Sequence, residues 1–133
     1  MESRKVPSDE LADIHSVVVP KLLEAALLAA RSGEAQTSES IIDAVQAVRP
    51  GSLKPIIVRA MAALYLGRLR EAVEIINTQV LSMEPSNAAA LSLLGLAEKR
   101  LGNTVAAQQV LSKVLKLNES PQSVALAKTL LEG

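Results

Sequence analysis

Two groups of side chains in this 133-residue sequence are of types that do chemistry, and neither has the company a site needs. His15 is the sole histidine and there is no cysteine, so neither an imidazole–thiolate metal site nor a Cys–His nucleophile can be assembled. A surface or interhelical histidine is the reading that remains. Glu71 and Glu74 share one helical face, and a carboxylate pair can divide acid and base roles in a hydrolase. Arg68 and Arg70 surround them at a helix start, which makes them a solvated face matched to the helix dipole. Neither a glycine-rich phosphate loop nor a nucleophile elbow is present, and the serines are scattered through caps and loops. The expectation is a non-enzyme without catalytic, cofactor-binding or metal-binding residues.

The informative pattern is repetition. Gly33, Gly67 and Gly102 are 34 and 35 residues apart, and each separates two amphipathic segments. Pro50 and Pro85 end the first two copies, again 35 apart. In the clearest copy, Ala88 to Leu101 forms one helix, Gly102-Asn103 breaks it, and Thr104 to Leu117 forms the next. Gly95 and Ala107 are small enough for the helices to approach closely, while Leu111 and Val114 fill the interior. The middle copy carries Ala60, Ala72 and Ile76 at the matching places, with one extra residue before Pro85. The first copy keeps Ala26, Ile42 and Val45 but has Ser38 where the others have alanine.

This order of small and apolar residues resembles the tetratricopeptide unit. The fold implied is an all-α, tetratricopeptide-like helical repeat. It has three helix-turn-helix units at residues 19–52, 53–87 and 88–121, an N-terminal helix, and a capping helix at 122–132. Residues 1–8 are expected to be unstructured and 9–133 to form one domain. The places that usually hold aromatic residues in such units hold Leu, Ile, Val and Ala here, since the chain has one Tyr and neither Phe nor Trp. Ser8 or Asp9 can cap the first helix, Pro20 should restart or kink it, and Thr37 or Ser38 can cap the helix that follows Gly33. Pro55 falls in a first helical turn, where its missing donor is harmless, and Ser120-Pro121 opens the last helix.

Fourteen basic and fourteen acidic residues balance, which argues against nucleic acid or an anionic membrane as partner. The polar start MESRKVPSDE lacks the apolar core of a signal peptide, and charge interrupts every apolar run before it could span a bilayer. A soluble, cytoplasmic protein without membrane insertion is expected. Yet 49% of residues are hydrophobic and mean hydropathy is +0.26, more than a three-unit core requires.

That surplus has a place in a tetratricopeptide stack, whose first helices line a concave groove. The resemblance assigns to the groove Leu23, Leu27 and Arg31 from the first unit, Ile57, Met61, Leu64 and Tyr65 from the second, and Leu96, Lys99 and Arg100 from the third. An exposed apolar groove with basic residues toward one end suits an amphipathic helix of a protein partner. The competing occupants are residues 9–18 of the chain itself or a second copy in a homodimer. The places that clamp acidic peptide termini in another tetratricopeptide subfamily hold Leu23, Leu27, Val58, Ala89 and Leu93 here, none of which can bind a carboxylate.

The run from Ile41 to Val80 also resembles the small tetratricopeptide proteins of bacterial type III secretion, of the HrpK and YscG kind. The residues that carry this are the apolar helix ending at Gly33, Ile41-Ile42-Asp43-Ala44-Val45 leading to Val48-Arg49-Pro50, and Gly67-Arg68 followed by Glu71-Ala72. Members like YscG are cytoplasmic chaperones that hold the apolar C-terminal helix of the needle subunit in the groove. The resemblance implies a similar secretion chaperone here, with a general adaptor or a structural homo-oligomer as the alternative.

Overall fold

The computed structural model describes the backbone of residues 7–133 and the side chains from Ser16 onward. The described residues form α1 (Pro7–Arg31), α2 (Ala35–Val48), α3 (Lys54–Tyr65), α4 (Leu69–Ile75), α5 (Ala88–Arg100), α6 (Thr104–Leu117) and α7 (Pro121–Glu132). α4 runs on without a break as a π-helical segment, Ile76–Leu81. The fold is all-α, as the period of the apolar residues requires.

Helices α1, α3 and α5 end in the same way for the same reason. Gly33, Gly67 and Gly102 have φ of 81°, 76° and 84°, a left-handed backbone that glycine adopts without a Cβ penalty. At each one, the glycine N–H and the next N–H donate back to the last turn. Glu34 bonds the Ala29 carbonyl at 2.8 Å, Arg68 bonds Ala63 at 2.8 Å and Asn103 bonds Glu98 at 2.9 Å. This paired closure satisfies the carbonyls a helix end would leave open and turns the chain at once into the next helix. Consequently α2 begins at Ala35 with Glu34 as its flanking residue and no side-chain cap. Thr37 and Ser38, expected to cap α2, lie inside it, because the turn is shorter than the polar run suggests. By contrast Asn87 and Ser120 are true caps, accepting from the Ala90 and Ser123 amides at 2.9 and 3.1 Å.

The expected restart at Pro20 does not occur: α1 continues through it. Pro20 is exposed, so its ring and missing N–H sit on the solvent side while Val19 and Leu23 anchor the opposite face in the core. The helix also begins at Pro7, inside the stretch expected to be unstructured; residues 1–6, and the side chains of Ser8, Asp9 and His15, lie outside the described set.

Each hairpin packs on the next. α1 touches α2 and α3, α3 touches α4 and α5, and α5 touches α6 and α7. Among the described residues α1, α3, α5 and α7 meet in succession, whereas α2, α4 and α6 meet no member of their own set. We call the layer in mutual contact, α1, α3, α5 and α7, the inner layer. The core follows the sequence register: Ser38, Ile42 and Val45 in α2 and Ala107, Leu111 and Val114 in α6 are buried at the same distances from their glycines. In the second hairpin the buried set is Ala72, Ile76 and Val80, one residue longer at its end. The extra residue noted before Pro85 is thus taken up as a π turn between Ile76 and Val80, which keeps both on the core face.

Ser38 is 1% exposed and its hydroxyl has no hydrogen-bond partner. An unpaired buried hydroxyl is destabilising, and alanine is the better helix former. Ser38→Ala should therefore raise stability by about 1 kcal/mol, seen as a higher midpoint in urea with an unchanged slope.

Candidate functional site: the inner helical layer

The carboxylates that could have divided acid and base roles lie on the surface. Among the described residues no group of three or more His, Asp or Glu side chains is placed to hold a metal ion. Glu71 and Glu74 are both exposed, with Arg68 between Glu39 at 3.4 Å and Glu71 at 4.0 Å, a surface charge network. A depression of about 640 Å³ lies where α5 and α7 begin and is lined by Glu84, Ala88, Ala89, Glu119, Ser120 and Ser123.

The residues expected to line a groove fall into two sets by burial. Leu27, Met61 and Leu96 are half-buried on α1, α3 and α5. Tyr65 is 50% exposed, and the Arg31 guanidinium stands over its ring at 5.5 Å from the centroid, a cation–π contact between α1 and α3. Arg100 is exposed at the end of α5. Ile57 is half-buried against the cluster of Ala60, Ile76 and Leu94.

The other expected groove residues lie elsewhere. Leu23 and Leu64 are 3% and 6% exposed and belong to the core, where they support the wall from behind. Lys99 is half-buried and its ammonium donates to the Leu130 carbonyl in the last turn of α7. A helix end presents unpaired carbonyls and partial negative charge, so it attracts the nearest cation. Lys99 thereby fastens the capping helix. Arg31, assigned to the groove by the same repeat positions, is Tyr65's neighbour at the end of α1.

The inner layer, the glycine-closed hairpins and the capping α7 define a helical-repeat protein. The chain belongs to the HrpB1_HrpK family of bacterial type III secretion proteins, whose family model matches residues 10–133. The HrpK-like residues around Pro50 and Gly67 pointed to that family. No curated protein and no solved structure matches the chain. No helix of the described residues is long and apolar enough to cross a membrane.

Proposed function

We propose that the chain is a non-enzymatic binding protein of the secretion apparatus, holding an amphipathic or apolar helix of another component along its inner layer. The observation that carries this reading is the row Leu27, Met61, Tyr65 and Leu96, set on three successive helices and bordered by Arg31 and Arg100. Successive anchors on a helix ligand recur every three to four residues, and adaptable Met61 suits a simple apolar face. Partner capture by such a row would keep an aggregation-prone helix from assembling early, the work of a secretion chaperone.

The test uses synthetic peptides covering the terminal helices of the apparatus's secreted subunits, titrated against the wild type and a Leu27→Glu/Met61→Glu variant. Leu64 is left unchanged because glutamate there would open the core. Binding of one peptide, weakened roughly 100-fold or more in the variant while helicity is retained, is the expected result. Equal affinity for the variant, or no preference over a scrambled sequence, would remove the reading. A helix captured from outside the apparatus would make the chain a general adaptor. Cytoplasmic residence belongs to the same reading, and cell fractionation checks it.

A further inference from the structure

The outer face of α1 carries a stripe, Val17, Lys21, Glu24 and Leu28, at the alternating four- and three-residue spacing of a two-stranded coiled-coil seam, with an opposite-charge pair at its two central positions. Val17 is 60% and Leu28 63% exposed, and neither Lys21 nor Glu24 makes an ion pair among the described residues. The same register shows what this face does elsewhere in the molecule. Counted back from the three glycines, Lys21, Glu24 and Leu28 correspond to Pro55, Val58 and Ala62 in α3 and to Ala90, Leu93 and Ala97 in α5. Those residues dock on the preceding hairpin: Val58 and Ala62 share a cluster with Leu23 and Ile42, Ala90 with Ala60 and Ile76, and Ala97 with Leu64 and Ala72. On α1 the equivalent face is open. It is not available to the helix's own N-terminal half either, because α1 runs unbroken from Pro7 and carries the chain away along its axis.

The stripe reads the same in both directions. We propose that two copies of the chain pair through this face, α1 against α1 antiparallel about a two-fold axis. Val17 of each copy then meets Leu28 of the other, and Lys21 meets Glu24, so the charges match twice and the apolar ends seal both sides. An isologous contact of this kind closes on itself and leaves the inner layer of both copies free. The stripe covers roughly 18 Å of helix, short for a standard interface, so the dimer is weak, with a dissociation constant on the order of tens of micromolar.

Sedimentation equilibrium over a concentration series tests this with the full chain. Lys21→Glu alone sets four carboxylates together and Glu24→Lys alone sets four ammonium groups together. Each should weaken self-association about tenfold or more, which is about 1.4 kcal/mol. Mixing the two single variants should restore association as a heterodimer, since each then offers the charge the other lacks. Circular dichroism should be the same for all three proteins, because residues 21 and 24 are solvent-exposed in the single copy. A wild type that stays monomeric to roughly 1 mM, a dimer indifferent to the swaps, or single variants that fail to recombine would each overturn the proposal. The Leu27→Glu/Met61→Glu variant should dimerise as the wild type does, which separates this contact from helix binding in the inner layer.

Discussion

Gly95→Ala should lower stability by about 2 kcal/mol, although alanine is worth about 1 kcal/mol more than glycine in an isolated helix. A Cβ at position 95 would stand 2.3 Å from Leu111 Cδ2 and 2.6 Å from Leu111 Cγ. Leu111 is 1% exposed and has no free space to move into. The other two hairpins solve the same contact with the opposite choice: Ala26 and Ala60 occupy the place of Gly95, and Ile42 and Ile76 the place of Leu111. Alanine is thus paired with isoleucine twice, and glycine with the longer leucine once. Gly95→Ala combined with Leu111→Ile should recover most of the loss, because it installs the pair used elsewhere. Thermal unfolding of both single variants and the double variant checks this. Simple addition of the two single effects would show that the helices do not meet at this point as described.

Ile76→Ala should cost more, about 2–5 kcal/mol, and should also change how the chain unfolds. Ile76 is fully buried and sits in the cluster that joins α3 and the π segment of the second hairpin to Ala90 and Leu94 of the third. In a stacked array each unit is held by its neighbours, so a cavity at the central junction weakens the coupling between the two halves. Denaturant unfolding, expected to be a single transition in the wild type, should broaden or split in the variant, with the slope at the midpoint reduced. A shifted but equally sharp transition would mean that the remaining contacts of α3 and α4 with α5 carry the coupling.

The hairpins were legible because their signals are local. A glycine that must take a positive φ, a small residue about two turns before it, and an apolar pair in the following helix recur in the sequence at almost constant distances. The single irregularity, the extra residue before Pro85, was visible as a count but not as a place. Only the burial of Val80 rather than Gln79 locates it. Pro20 does not restart the helix because proline's cost depends on which side of the helix faces water, and that is decided by α2 and α3, not by the neighbours in sequence. The burial of the expected groove residues was not legible. Leu23 and Leu64 are apolar, as Leu27 and Leu96 are, and residue type cannot separate a core position from the wall beside it. Lys99 was assigned to the groove by its position in the repeat, while its partner is a carbonyl 31 residues away. The α1 stripe escaped notice because its charged centre looks like ordinary solvent-facing surface until it is aligned with the buried residues of α3 and α5.

Tyr65 is the single aromatic side chain in the whole sequence, and it stands half-exposed in the inner layer beneath Arg31. All ultraviolet emission from the protein therefore originates at one address. With neither tryptophan to dominate the spectrum nor a second tyrosine to blur it, a change in phenol fluorescence reports directly on what lies against α1 and α3. A ligand helix free of aromatic residues could be followed by that signal with no label attached, and an event confined to the outer face of α1 would leave it dark.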